Sequence, residues 1–400
     1  MSTEKSDPIR LSNRVRGLPG YPLAEIPAIK RRLAAAGVDL IDLGAGDNDT
    51  PPPALAVNAM REALADPLLS KYGFQQGLPA YRQAIASWMQ RRFGQHFDPA
   101  TETLPLIGSK EGLSHLPMAF VDAGETVVVP EPGYQAYIGG ALLAGARPHV
   151  VPLRPENGFL LDLEQLPADV LAATRLVVLN YPNNPTAAIA PAAYLEKTVA
   201  LCRKHGIVLA YDNAYCELTY DGYVAPSIFA FPGARDVAIE FFSLSKSYSM
   251  TGWRIGFAVG RAELIGALTR VKSYVDTGPW LAIQHAAAKV LDASEQLVPP
   301  VREELQRRRD AVISALAEIG LQVDAPKAAM YVWVPLPPQL PSAAFTRQVL
   351  EETGVVLLPG SGFGPGGEGF FRIALTVGAE RLAEGVRRIG SVLATSGSAA

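Results

Sequence analysis

The chain is poor in the groups that disulfide frameworks, metal sites, membrane spans and nucleic-acid surfaces require. Its 400 residues include two cysteines, Cys202 and Cys216, which offer neither a disulfide framework nor metal-ligand spacing. Both abut apolar segments, as buried free thiols in a reducing compartment do. The five histidines (His96, His115, His149, His205 and His285) show no ligand spacing, and there is no HExxH, so no metal is expected. No G-x-x-x-x-G-K-[ST] occurs. The net charge of −3 gives no electrostatic reason to expect a nucleic acid or an anionic membrane as partner. The one basic run, Arg307-Arg-Arg309, lies in the charge-alternating helical pattern Val301–Ile319, where a solvated helix face is expected. No apolar run approaches the ~20 residues of a membrane span. Met1–Pro8 is polar, so no signal peptide and a cytoplasmic location are expected.

What is present reads as a globular protein of two or three domains, 48% hydrophobic and 19% charged. Residues 1–20 read as a loose arm broken by Gly17, Pro19 and Gly20. Helical spacing covers Ala24–Ala36, stopped by Gly37, and a short strand, Leu40–Leu43, runs toward Pro51-Pro-Pro53. Helices are expected at 54–65 and 79–92. Between them and residue 260, short apolar strands alternate with helical stretches such as Tyr134–Ala144 and Ala192–His205. The strands are Thr126–Val129, His149–Leu153, Leu176–Leu179, Ile207–Tyr211, Val237–Phe242 and Ile255–Val259. That alternation predicts crossover units and an α/β domain with a mainly parallel sheet covered on both faces.

The last third differs. A helical zone, Gln284–Ile319, carries Pro299-Pro300 as its interruption; then come Met330–Val334, a Pro-rich link, a helix at Ser342–Thr353 and the strands Val355–Leu358 and Phe371–Leu375. This predicts a smaller α+β domain. The expected division is an arm (1–20), a small domain (21–53 with 295–400) and a large domain (54–294).

Gly362-Phe-Gly-Pro-Gly-Gly367 satisfies G-x-G-x-x-G, yet it runs directly into a strand instead of opening a helix, so a flexible loop is the better reading. More informative groups sit at the carboxyl ends of expected strands, where open parallel sheets bind ligands. Asp212 ends one strand, with Tyr215 three residues on. Asn180-Tyr-Pro-Asn-Asn-Pro-Thr186 follows another and reads by itself as a turn. Gly108-Ser-Lys-Glu-Gly112 precedes the helical stretch Leu113–Phe120 and suits a phosphate at a helix N-terminus. Lys246, within Ser243-Leu-Ser-Lys-Ser-Tyr248, has hydroxyls on both sides and Arg254 eight residues on. A lysine beside such an anion site can hold a phosphorylated aldehyde as an imine.

Together, Gly108-Ser-Lys, Asn-Asn-Pro-Thr, Asp212-x-x-Tyr215, Ser-x-Ser-Lys246 and Arg254 resemble the class I/II aminotransferases of fold type I, over about residues 12–392. Within that family, Leu18–Ile26, Gly108–Gly112 and Phe371–Val377 are similar to the LL-diaminopimelate branch. The resemblance implies pyridoxal 5′-phosphate as cofactor, and a homodimer with shared active sites. The reaction it implies is amino transfer from LL-diaminopimelate to 2-oxoglutarate in lysine biosynthesis. Neighbouring branches act on aspartate, alanine or succinyl-diaminopimelate, and C–S lyases share the scaffold.

By the same resemblance, Lys246 would form the imine and move the substrate proton, and Asp212 would keep the pyridine nitrogen protonated. Tyr215 and Asn184 would meet the ring hydroxyl, and Tyr134 would stack on the ring. Ser109, the Lys110 backbone, Ser243, Ser245 and Arg254 would hold the phosphate, and Tyr72 would reach the phosphate of a neighbouring subunit. Arg372 would clamp the substrate α-carboxylate, with Gly46 and Tyr21 nearby. Two departures stand out. Ala187 follows Asn-Pro-Thr where the family often has glycine, which should shift a turn. Lys272-Ser-Tyr-Val-Asp-Thr-Gly278 has no arginine where aspartate-specific enzymes place one, which argues against aspartate.

Overall fold

The structure, a computed structural model, describes residues 9–20, 26–74 and 76–397. Tyr21 lies outside the described residues. The central element is a seven-stranded sheet: β1 (Thr103–Leu106), β2 (Thr126–Glu131), β3 (Arg147–Pro152), β4 (Thr174–Asn180), β5 (Val208–Asp212), β6 (Ala238–Ser243) and β7 (Gly256–Gly260). Their spatial order is β1-β7-β6-β5-β4-β2-β3, with the pairs from β6 to β3 parallel and those of β7 antiparallel. Alternate residues feed two cores. Val128 belongs to one, and Val127 and Val129 to the other. Both faces are therefore buried, which is why these strands read as unbroken Val/Ile/Leu/Phe runs.

The chain is thus mixed α/β, with a mostly parallel central sheet, and a second hydrophobic core lies around a smaller antiparallel sheet. Its strands are β8 (Tyr331–Pro335), β9 (Leu358–Pro359) and β10 (Phe370–Ala374), ordered β9-β10-β8. Beside it Ile41–Asp42 pairs in parallel with Val355–Val356, so an early segment is built into the late part of the chain.

Several expectations need correction. β1 is absent from the strand reading. It is four residues long, contains Pro105 and pairs antiparallel with β7 as an edge strand, a place where a missing N–H is tolerated. Pro299-Pro300 does not interrupt the helical zone: the break falls at Ala293, and Ser294–Glu318 is one helix through both prolines. The prolines are exposed, so water can satisfy the carbonyls that they leave unpaired. Of the basic run only Arg307 is solvated. Arg308 and Arg309 are buried; Arg308 pairs with Asp49 and Glu304, and Arg309 with Asp221 and Asp310. The glycine-rich loop folds as two 3-10 turns, Gly360–Phe363 and Pro365–Gly367, and its Gly366 N–H donates to Glu131 Oε1 at 2.9 Å. The described part of the arm has one helical turn, Asn13–Gly17, capped by Ser12.

No described helix is long and apolar enough to cross a membrane. Glu111, His115 and Asp276 bring ligand atoms within 4.8 Å of one another, but their cation is internal. The Lys272 ammonium bonds Glu111 at 2.8 Å and Asp276 at 2.7 Å.

Candidate active site

A cavity of about 740 Å³ opens where the carboxyl ends of β4, β5 and β6 meet the smaller sheet. In-register pairing sets Asn180 beside Asp212 and Asp212 beside Phe241, so those strand ends stop at one level. Asp212 is buried, and its Oδ2 accepts from Tyr137 Oη at 2.7 Å. Burial pushes its carboxyl up to about 6, against the pull of the Tyr137 hydroxyl and the nearby Ala214 N–H. Oδ1 is buried and has no hydrogen-bond partner. A lone buried carboxylate oxygen on a cavity wall is suited to a charged N–H donor supplied by a ligand.

Helix Ser109–Phe120 starts at the cavity, directly after Gly108, which has φ 70°. A Cβ at Gly108 would lie 2.6 Å from Nη2 of Arg254. Only a bare backbone lets that guanidinium close over the helix N-terminus. Arg254 itself has φ 53° and donates from Nη1 to Thr251 O at 2.8 Å. Ser243 caps the short turn Leu244–Ser247 by accepting from Ser245 N–H. First-turn N–H groups, hydroxyls of Ser109, Ser243 and Ser245, and one guanidinium thus surround the same part of the cavity.

Half-buried Lys246 leaves that turn and donates from Nζ to the Gly46 carbonyl. The segment carrying Gly46 also contacts the lysine turn further on, because Thr50 Oγ1 lies 2.9 Å from Ser249 Oγ. Gly46 is required by space as well: a Cβ there would meet Tyr331 Oη at 2.7 Å. Arg372 is buried on β10, donating to Asn184 Oδ1 at 2.8 Å and Gly44 O at 2.7 Å. Its guanidinium lies 4.1 Å from the Tyr331 ring centroid and 4.9 Å from that of Phe363. Two acceptors and two aromatic faces fix the orientation of its fork on the cavity wall.

Tyr215 Oη lies 3.0 Å from Tyr331 Oη, and burial pushes the Tyr215 hydroxyl well up, so it stays protonated at neutral pH. The Asn180–Thr186 segment bonds to itself and to the end of β5. Asn184 N–H donates to Asn180 Oδ1, Thr186 to Asn183 Oδ1, and Asn180 Nδ2 to Asp212 O. Ala187 holds a left-handed φ of 58°, so the turn keeps a conformation natural to glycine and the alanine bears the strain.

Lys246, Asp212, Tyr215, Ser109, Lys110, Tyr134, Asn184, Ser243, Ser245, Arg254, Arg372 and Gly46 all line this one cavity. Tyr72 does not; its side chain is exposed on the outer surface. Sequence reading missed Tyr137, Tyr331 and Phe363. Tyr137 had a signal, because it follows Tyr134 by three residues on one helix. Tyr331 and Phe363 had none, since each reaches the cavity only through the packing of the smaller sheet.

Residues 38–389 match the family model described as aminotransferase class I and II. The LL-diaminopimelate aminotransferase 2 of Trichormus variabilis is 45% identical, over 95% of this chain and 98% of that one. The LL-diaminopimelate aminotransferase of Nitratidesulfovibrio vulgaris is 46% identical, over 96% and 99%. Among solved structures, substrate-bound BacF of Bacillus subtilis superposes with a TM-score of 0.92 at 33% identity, covering 96% of this chain and 98% of that one. A probable N-succinyldiaminopimelate aminotransferase of Thermus thermophilus superposes with a TM-score of 0.88 at 38% identity, over 93% and 100%.

Proposed function

Because the chain belongs to the class I and II aminotransferases, we propose that it is a pyridoxal 5′-phosphate enzyme moving an amino group from LL-diaminopimelate to 2-oxoglutarate. The observation that carries the cofactor is the pairing of the orphan Asp212 Oδ1 with the Gly108–Arg254 cradle in one cavity. One end suits a pyridinium N–H, and the other a phosphate. Pyridoxal phosphate supplies an aldehyde for an amine and a ring that accepts the electron pair of a carbanion.

In this reading Arg254, Ser109, the Lys110 N–H, Ser243 and Ser245 bind the phosphate. Asp212 Oδ1 holds the proton on the pyridine nitrogen, and Tyr137 holds Asp212 in place. Tyr215 and Asn184 donate to the ring hydroxyl oxygen, and Tyr134 packs on the ring. Arg372 binds the substrate α-carboxylate bidentately, beside Gly46. Lys246 Nζ, released from its tie to Gly46 O, would take the proton from the substrate α-carbon and deliver it to the aldehyde carbon of the cofactor, and in the second half-reaction would carry a proton the opposite way, onto the α-carbon derived from the oxo acid.

The substrate assignment is supported by full-length relatives of that name at about 45% identity and by the missing arginine in 272–278. A homodimer is supported by exposed Tyr72, Phe74, Tyr274 and Val275, large apolar groups that a monomer would leave in water. There Tyr72 would reach the partner's phosphate. A cytoplasmic location fits two thiols without a disulfide.

The test uses purified enzyme loaded with pyridoxal phosphate. LL-diaminopimelate should bleach its visible absorbance, 2-oxoglutarate should restore it, and Lys246→Ala should abolish both responses. Normal turnover in the alanine variant overturns the mechanism. Bleaching by aspartate or alanine, but not by LL-diaminopimelate, overturns the substrate. Pyruvate and ammonia released from one substrate without an acceptor would instead mark a lyase.

A further inference from the structure

The cavity lining carries more positive charge than the groups assigned so far can use. Among the described residues, six cationic ones (Lys30, Arg31, Lys110, Lys246, Arg254 and Arg372) line it against two carboxylates, Asp42 and Asp212, a surplus of four. Arg254 answers a phosphate of about two negative charges, and Arg372 answers one α-carboxylate. Lys30 is already paired with Asp42, which also accepts from the Gly44 and Ala45 N–H groups. The Lys110 ammonium lies 5.6 Å from the Tyr134 ring centroid. Arg31 is different. It lines the cavity, is exposed, and has no hydrogen-bond or ion-pair partner among the described residues.

The helix Ile26–Ala35 explains how it gets there. Ile26 and Lys30, and Pro27 and Arg31, are i,i+4 pairs, so these four make one face, and all four line the cavity. The next residue, Arg32, turns away to Glu351 at 3.4 Å. A guanidinium on the cavity lining, with no hydrogen-bond or ion-pair partner among the described residues, is suited to bind a carboxylate.

We propose that Arg31 is a specificity-determining residue that binds the distal carboxylate of a dicarboxylic substrate, amino donor or oxo-acid acceptor. The proposal rests on the reading of Arg372 as the α-carboxylate clamp. With both ends held, Arg31 rewards substrates with a second carboxylate and gives nothing to those ending in a methyl group. The fork is preorganised only by its helix, so it acts on binding and not on the proton transfer at Lys246.

Calorimetric titration of the pyridoxal phosphate-loaded enzyme with inert glutarate and pimelate, beside butyrate, tests this. Arg31→Gln should weaken at least one dicarboxylate about tenfold, the scale of one accessible charge-assisted hydrogen bond, and leave butyrate within about twofold. The KM for 2-oxoglutarate should rise with kcat unchanged. Equal effects on dicarboxylates and butyrate overturn the proposal alone. The control Arg372→Gln should weaken all three acids. If it weakens none, the clamp reading fails and the proposal falls with it.

Discussion

Replacing Asp212 with asparagine should make the cofactor-free protein more stable, by an amount that grows with pH. The folded carboxyl holds its proton to about pH 6 instead of its ordinary 3.8, because it is buried and one oxygen has no donor. Between those pH values the unfolded chain has already released the proton while the folded one retains it. Folding stability therefore falls as pH rises through this window. Relative to a carboxyl of ordinary pKa, the raised one costs about 1.5 kcal/mol near pH 5, where the folded group is still protonated, and about 3 kcal/mol by pH 8, where it is ionised and the cost levels off. Asparagine keeps an acceptor for Tyr137 and carries no charge, so the variant lacks this loss. Buried Glu240, pushed up to about 7 by its own desolvation, adds a similar slope to both proteins, and subtraction removes it.

The assay is chemical denaturation of apoprotein and apo-Asp212→Asn between about pH 5 and 8. The variant's advantage should rise by about 1.5 kcal/mol across the range. Saturation with pyridoxal phosphate should shrink or reverse it, because a pyridinium N–H on Oδ1 stabilises the ionised aspartate. A variant advantage that is absent, or the same at both ends of the range, refutes the reasoning.

Gly108→Ala should weaken pyridoxal phosphate binding by tenfold or more, read by titrating apoprotein and following visible absorbance. Its Cβ would lie 2.6 Å from Arg254 Nη2, in an extended positive-φ backbone that is essentially glycine-only and costs other residues about 1–3 kcal/mol, and unchanged affinity would count against the cradle. Cys202, its thiol pushed up to about 12 by burial, and Cys216, raised well above its ordinary value by burial and by Glu217, should both resist a disulfide reagent in the native protein. Denaturant should release both, and a fast-reacting thiol before unfolding would contradict their burial.

What the sequence alone determined is the family and the main sheet. Lys246 between serines, Asp212 after a buried run and Arg254 eight residues beyond the lysine are local patterns that carry the family resemblance, and all three line one cavity. The parallel strands were equally legible, because burial on both faces writes an unbroken apolar run. Tertiary structure alone decided whatever depends on which distant segments touch. β1 was invisible because a four-residue edge strand with a proline carries no periodic signal, and only its pairing with β7 makes it a strand. Arg308 and Arg309 looked like a solvated face because their partners Asp49 and Asp221 lie far away in sequence. The raised pKa of Asp212 and the open guanidinium of Arg31 belong to the same class. Desolvation and the absence of a partner are properties of a folded surface, and a residue's neighbours in the chain do not record them.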